Sequence, residues 1–208
     1  MKSAISYNPQ NSPKKQRGRP RQFVHEEAVS RALDLFWIQG YEGTSISELS
    51  ETLQMNRPSM YASLGNKETL FNLALNYYLK HHLHFFEEAV SKSTLTEVVD
   101  TLWMGEISML TQFETPRGCL ITQAALSCGK GALPIKALLI SKRNIMEAIL
   151  TKRIELANLK RGFGVKPAAE TLAKAIMTIY EGISIQAMSG SSKAELINIA
   201  DLSKKILS

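Results

Sequence analysis

The chain has 208 residues, 44% of them hydrophobic, so it is long enough to bury a full core as one large or two small domains. Its first residues, MKSAISYNPQNSP, lack the apolar run of a secretory signal, and no uninterrupted apolar stretch of about 18 residues occurs. We therefore expect a cytoplasmic protein without a membrane span.

The positive charge is concentrated at one end of the chain. The formal net charge is +6; residues 1–22 carry six basic side chains and no acidic one, and the remaining 19 basic and 19 acidic residues cancel. This segment, which includes Arg17, Arg19 and Arg21, predicts a flexible basic arm. A solvated disordered leader is the simpler interpretation. Next to a DNA-binding unit, however, such a run is typical of arms that enter a minor groove.

The next segment predicts two helices separated by a tight joint. Residues 23–39 form the first helix, which Gly40 should end. Ser45 then lies three residues before Glu48, the spacing at which the two side chains cap each other's free backbone N–H groups. Apolar residues follow at intervals of three and four, so a second helix of about two turns begins near Ile46.

A third helix follows after a very short turn. Asn56 is a suitable N-cap, and Pro58 lies in the first turn, where a missing N–H costs nothing. Two short helices joined by about three residues are typical of a helix-turn-helix, whose second helix inserts its N-terminal side chains into the major groove. An ordinary helical corner is the alternative. The polar side chains available on the third helix are Arg57, Ser59, Tyr61 and Ser63.

The segment from about Arg17 to Leu79 resembles the N-terminal DNA-binding domain of TetR-family transcriptional regulators, through the runs GRPR, ALDLFWIQGYEGTSISELS and MNRPSMYASLGNKETLF. The resemblance implies an all-α fold with a three-helix DNA-binding domain followed by a helical ligand-binding and dimerisation domain. We accordingly divide the chain into the arm at 1–22, the helix-turn-helix domain at 23–66 and the ligand-binding and dimerisation domain at 67–208. The implied function is that of a homodimer, usually a repressor, that binds a palindromic double-stranded DNA operator and is released by a largely apolar small molecule.

The same resemblance implies roles for individual residues at the DNA. Thr44, Tyr61 and Lys67 correspond to frequent phosphate contacts, and Arg57 and Ser59 correspond to positions that commonly face base edges. An arginine at such a position can pair with guanine O6 and N7. Lys67 also opens a helix, where the N-terminal dipole and free N–H groups suit a phosphate.

Beyond the DNA-binding domain the pattern predicts only helices. A long helix from Lys67 to about Ser91 should act as the lever between the domains, because no Gly or Pro interrupts it. The last two helices are assigned to dimerisation by the resemblance, whereas their periodicity alone also allows a monomeric core. The further helices are predicted at about 94–113, 117–128, 133–159, 167–188 and 193–206.

Large, soft side chains in this second domain are candidates for an effector pocket. Methionine fills irregular space and suits adaptable pockets, although an apolar stripe at helical spacing is more often plain core. We predict a pocket among these residues without deciding which of them line it. The candidates are Trp103, Met104, Phe113, Cys119, Met146, Met177 and Tyr180.

Cys119 and Cys128 are the only cysteines. On one helix their Cα atoms would be roughly 13 Å apart, beyond the limit of about 7 Å for a disulfide. Arg117 and a helix N-terminus could lower the pKa of the Cys119 thiol, which would make the protein a redox- or electrophile-sensing regulator. A buried small apolar residue is the simpler interpretation.

Three histidines cluster on the predicted lever helix. His81 and His84 could share a face and bind a metal, with a third ligand from elsewhere, but a polar helix face is the simpler interpretation of these two and His82. We predict no metal and no cofactor. Because no catalytic constellation is recognisable, an all-α small-molecule enzyme or carrier is the less favoured class.

Overall fold

The computed structural model describes residues 21–113, 117–122, 129–158 and 168–207, and within these ranges the regular structure is entirely helical. The predicted all-α fold is therefore confirmed. No helix in the described part of the chain is long and apolar enough to cross a membrane. The helices are α1 (Arg21–Gly43), α2 (Ile46–Leu53), α3 (Arg57–Leu64), α4 (Lys67–His81), α5 (His84–Ser91), α6 (Leu95–Leu110), α7 (Leu133–Asn158), α8 (Ala169–Met188) and α9 (Lys193–Leu207).

The first three helices form a compact head around α1. α1 begins at Arg21, two residues earlier than predicted. Its helical path breaks at Gly40, as predicted, where φ is 73°, and a last turn continues to Gly43. Phe36, which is fully buried, packs edge-on against Phe71 of α4, with ring centroids 5.1 Å apart. The head is thus fastened to the helix that leads into the rest of the chain.

The predicted long lever helix is wrong, because α4 ends at His81 and α5 begins at His84. The backbone N–H groups of His82 and Leu83 both donate to the carbonyl of Tyr78, which closes the last turn of α4. The turn directs Phe85 against α6, where a Cβ on Gly105 would lie 2.5 Å from its ring. The Phe85 ring packs directly against the Gly105 backbone, and this packing explains the break between α4 and α5. The turn contains no Gly or Pro, so the sequence does not signal the break.

Helices α6, α7, α8 and α9 pack into the second bundle, and polar contacts tie their outer faces together. Arg143 on α7 donates to both carboxylate oxygens of Glu181 on α8, at 2.6 and 2.7 Å. Lys204 on α9 donates to Asp100 on α6 at 2.6 Å. Arg153 donates to two backbone carbonyls before α6, at 2.6 and 2.9 Å. Of the helix predicted at 117–128, residues 117–119 are not helical and residues 120–122 are, so its predicted start is three residues too early; residues 123–128 lie outside the described residues.

The helix α8 uses both of its apolar stripes inside one chain. Leu172, Ile176 and Ile183 on one stripe and Met177 and Tyr180 on the other are all buried. The exposed apolar side chains lie elsewhere, at Ile185 and Met188 on α8 and at Ile199 and Leu202 on α9. The chain's own core therefore covers most of α8, and exposed apolar side chains remain near its end and on α9.

Candidate nucleic-acid interface

The two short helices of the head are capped as the sequence predicts. Ser45 Oγ accepts a hydrogen bond from the N–H of Glu48 at 3.1 Å, and the Glu48 carboxylate accepts one from the N–H of Ser45 at 2.8 Å. These bonds hold the pKa of Glu48 below its usual value. Asn56 Oδ1 accepts from the N–H of Ser59 at 2.9 Å and caps α3, with Pro58 in its first turn. Both helix starts are therefore fixed by local side chains.

The turn between α2 and α3 is set by Gln54, which adopts the left-handed conformation with φ 54°. The N–H of Met55 donates to the carbonyl of Ser50 at 3.0 Å, and that of Gln54 donates to the carbonyl of Glu51. This pattern ends α2 abruptly and points α3 away from it. Glycine is the residue that usually adopts this conformation. Because Gln54 adopts it here, the sequence contains no glycine that would predict the turn.

α3 presents polar residues outward and apolar residues inward. Met60 and Leu64 are buried, as predicted from their spacing, whereas Arg57, Ser59 and Tyr61 are exposed. Arg57 Nη2 donates to Ser47 Oγ on α2 at 2.8 Å, so the guanidinium group lies across the opening between the two helices. The three predicted base- and phosphate-facing side chains thus share one accessible surface, the polar face of α3.

Lys67 lies at the edge of this surface, at the start of α4. Asn66 caps that helix by accepting from the N–H of Thr69 at 2.8 Å. The Lys67 ammonium group lies over the Tyr41 ring, 4.4 Å from its centroid, and partial burial lowers its pKa. Tyr41 therefore positions a cation beside the free N–H groups of a helix start.

Thr44 does not reach the surface. The residue is completely buried, and its hydroxyl donates to the carbonyl of Gly40 at 2.8 Å. A phosphate oxygen cannot approach a buried hydroxyl that is already engaged, so the contact implied for Thr44 does not fit this conformation. The residue instead closes the joint between α1 and α2. Of the arm, Arg17 and Arg19 lie outside the described residues, and Arg21 is the first residue of α1.

The head is connected to the second bundle by a short segment, residues 117–119. Arg117 donates to Asp34 of α1, and its guanidinium carbon lies 4.3 Å from the centroid of the Phe113 ring. The indole N–H of Trp37, also on α1, donates to the carbonyl of Gly118 at 2.5 Å. The segment is therefore fixed to the head through both a side chain and the backbone.

The next residue of that segment, Cys119, belongs to the core of the second bundle. Its N–H donates to Ser184 Oγ of α8 at 2.6 Å, and its sulfur accepts from the Tyr78 hydroxyl of α4 at 3.6 Å. Residues 117–119 thus connect α1, α4 and α8 within three positions. We call this segment the junction.

The alternative in which Arg117 lowers the Cys119 thiol pKa is wrong. The residue is 1% exposed, and burial together with the neighbouring Glu106 raises its thiol pKa to about 11. Arg117 cannot offset this, because its guanidinium group is engaged by Asp34. Cys119 matches the simpler interpretation of a buried, protonated residue.

The predicted pocket residues fall into separate places. Trp103, Cys119 and Tyr180 are almost fully buried in one region between α6, the junction and α8, where the Trp103 indole N–H donates to the carbonyl of Ile176 at 3.4 Å. Phe113 lies against Trp37 at the junction. Met104 is half-buried on α6, and Met146 and Met177 are buried on α7 and α8.

Sequence reasoning missed Glu106, which is completely buried beside Tyr180. Its position carried a signal, because it lies four residues from the core residues Leu102 and Leu110 and therefore on the inner face of α6. Trp37 and Ser184, which hold the junction, gave no comparable signal.

The three histidines border a cavity of about 300 Å³ between the α4–α5 turn and α6. His81 stacks on Tyr77, and His82 packs against Trp37, with ring centroids 4.1 and 4.8 Å apart respectively. Among the described residues no group of three metal-ligating side chains is arranged to hold a metal ion. These rings therefore pack as aromatic groups.

Comparison with known proteins agrees with this architecture. Residues 28–74 match the family model described as bacterial regulatory proteins, tetR family. The chain is 30% identical over 193 residues to the HTH-type transcriptional repressor ComR of Escherichia coli (strain K12), covering 90% of both proteins. It is 44% identical over 62 residues to the repressor BdcR of the same organism, covering 30% of this chain and 32% of that one.

The chain is also similar to a regulator whose structure has been solved with bound operator DNA. A cysteine mutant of the TetR family transcriptional regulator CifR, complexed with 26-bp double-strand operator DNA, superposes with a TM-score of 0.83 at 29% identity, covering 91% of this chain and all of that one. The capped helix-turn-helix and the near full-length match to ComR point to the same family. The chain therefore belongs to the TetR family of DNA-binding transcriptional regulators.

Proposed function

We propose that the protein is a homodimeric repressor that binds a palindromic operator and is released from it by a small-molecule effector. The observation that carries this proposal is the polar face of α3, where Arg57, Ser59 and Tyr61 are exposed on a helix whose start and preceding turn are both fixed. The repressor names of ComR and BdcR support the sign of regulation.

The proposed DNA contacts divide into two kinds. Arg57 and Ser59 lie in the first turn of α3 and would reach base edges, whereas Tyr61, Lys67 and the arm residues Arg17, Arg19 and Arg21 would bind phosphates. Residues 23–80 contain four basic and seven acidic side chains, so the head attracts DNA only through these aimed groups. The arm would supply the general attraction.

Dimerisation is supported by apolar residues left uncovered on the last two helices. Ile185 on α8 is 45% exposed and Leu202 on α9 is 60% exposed. To read a palindrome, the two α3 helices of a dimer paired through this surface must lie about 34 to 36 Å apart, one DNA turn. A monomer would reach only one half-site.

Release by an effector requires a path from the second bundle to the head, and the junction supplies one. A molecule bound beside Cys119 or Tyr180 would act on residues 117–119, which hold Trp37 and Asp34 of α1. It would favour release only if it binds more tightly to the conformation with the wrong spacing of the α3 helices.

Redox sensing by Cys119 is not favoured. A thiolate is the reactive form of cysteine, and a thiol with a pKa of about 11 is protonated at neutral pH.

Replacing Arg57 with Ala tests the proposal. The loss of a base contact should weaken operator binding by about 1–3 kcal/mol, roughly 5- to 150-fold, measured by fluorescence anisotropy on DNA recovered by footprinting. The matched control is Arg31→Ala, which removes an exposed arginine that pairs with Glu27 on the outside of α1. Equal operator affinity of the Arg57 variant and the wild-type protein, with both folded by circular dichroism, would refute the assignment.

A further inference from the structure

The second bundle contains a buried carboxyl group without a counter-ion among the described residues. Glu106 on α6 is completely buried, and the Tyr180 hydroxyl on α8, which is 1% exposed, lies close enough to lower the pKa of this carboxyl by hydrogen bonding. In the described part of the chain neither group makes a well-aligned hydrogen bond. Buried polar atoms in native proteins are nearly always well hydrogen-bonded, so this pair is open to a further polar partner.

Three basic side chains on the elements around this pair are engaged by other carboxylates. Arg117 of the junction pairs with Asp34, Arg143 on α7 with Glu181, and Lys204 on α9 with Asp100. Burial and the Tyr180 hydroxyl are the causes that shift the pKa of Glu106, and no cation of the described residues is among them.

The titratable groups that face Glu106 are all neutral when protonated. They are Tyr180 from α8, Cys119 from the junction and Tyr78 from α4. The helices α5 and α9, which also pack against α6, contribute no group that shifts the pKa of Glu106. A cation that pairs with this carboxylate must come from outside the described residues.

The surroundings of the pair are apolar and lie next to open space. Trp103, one turn before Glu106, is completely buried. The cavity of about 300 Å³ at the α4–α5 turn is lined by Gly105, Ser108 and Met109, which are neighbours of Glu106 in α6. The Met109 sulfur lies 3.6 Å from the Tyr78 hydroxyl, so Met109 contacts both the cavity and the buried cluster. Methionine changes rotamer easily and can open such a wall.

We propose that Glu106 and Tyr180 form the polar end of an effector site that binds the ammonium group of an apolar amine. The carboxylate would pair with the cation, the Tyr180 hydroxyl oxygen would accept a second N–H, and the apolar body would occupy the space beside Met109 and Trp103. This inference rests on the proposed effector-released regulator and names the chemical class of its effector.

The site has a proton-linked signature. Burial raises the pKa of Glu106 to about 8, so the empty site holds a neutral carboxyl group at pH 7. When an ammonium ion binds, the carboxyl proton is released to solvent and the carboxylate pairs with the cation. Affinity for an amine should therefore rise up to about tenfold per pH unit until about pH 8 and level off above it. Burial also lowers the pKa of His82 at the cavity wall, which favours the neutral form of that ring.

The experiment compares 4-phenylbutylamine with 4-phenylbutan-1-ol, which has the same apolar body but no charge. Binding to the full-length protein is measured by calorimetry at pH 6, 7, 8 and 9, in buffers of different ionisation enthalpy that report proton release. We expect the amine to bind at least tenfold more tightly than the alcohol at pH 8, with release of close to one proton at pH 6. Absence of amine binding, or equal binding of the two compounds, would overturn the proposal.

Variants locate the effect. Glu106→Gln should remove the preference for the amine and its pH dependence, whereas Glu87→Gln, which changes an exposed carboxyl on α5, should leave both unchanged. If Glu106→Gln does not fold, Tyr180→Phe serves instead and should weaken amine binding severalfold. An unchanged preference in the folded variant would exclude this site.

Operator binding without any amine is measured in parallel. A wild-type protein that does not bind the operator would contradict the proposed function but not the amine site. The failure of one proposal is therefore distinguishable from the failure of the other.

Discussion

Removing the Ser184 hydroxyl should loosen the junction by a predictable amount. Ser184 Oγ accepts the N–H of Cys119 at 2.6 Å, and both residues are 1% exposed. Ser184→Ala therefore leaves a buried N–H without an acceptor, and water cannot reach it. Such a group costs about 1–3 kcal/mol of unfolding free energy. For a chain of this length each kcal/mol lowers Tm by about 2–4 °C, so we expect a fall of about 2–12 °C.

The assay is thermal and urea unfolding of Ser184→Ala beside a matched control. Ser189→Ala removes a hydroxyl that donates to the carbonyl of Ile185 at 2.9 Å on the exposed end of the same helix. That control should change stability by less than about 0.5 kcal/mol. If the two variants are equally stable, the hydrogen bond between Ser184 and Cys119 does not hold the junction, and the reasoning fails.

Two further predictions concern pH and salt. The pKa of Glu106 is raised by burial from 4.5 to about 8, so its contribution to stability is fully present below pH 4.5 and is lost as pH rises through 8. As pH rises from 5 to 8, the urea midpoint of the wild-type protein should therefore decrease relative to that of Glu106→Gln. The same pH dependence of the midpoint in both proteins would contradict this. Deleting residues 1–20 should weaken operator binding and flatten its salt dependence by about 0.9 per lost phosphate contact. A deletion of residues 1–12, which keeps the run KKQRGRPR, is the control. If the slope of log affinity against log salt concentration is equal for both deletions, the arm does not contact the operator.

Local signals in the sequence determined the head. Ser45 with Glu48, and Asn56 with Pro58, act within a few residues of themselves, so their caps form wherever the chain places these helices. The spacing of Met60 and Leu64 likewise fixed which side of α3 is buried and which is exposed. The family resemblance follows from this same stretch, because its residues lie close together in the chain.

Only the tertiary structure decided the features that depend on distant partners. The break after His81 rests on Phe85 meeting Gly105, and the burial of Thr44 and Cys119 depends on how separate helices close over them. Glu106 and Tyr180 come together from α6 and α8, which are far apart in the chain. Periodicity predicts which face of a helix is buried. Only the packed core decides which group covers that face, and it therefore also decides the pKa of a buried thiol or carboxyl.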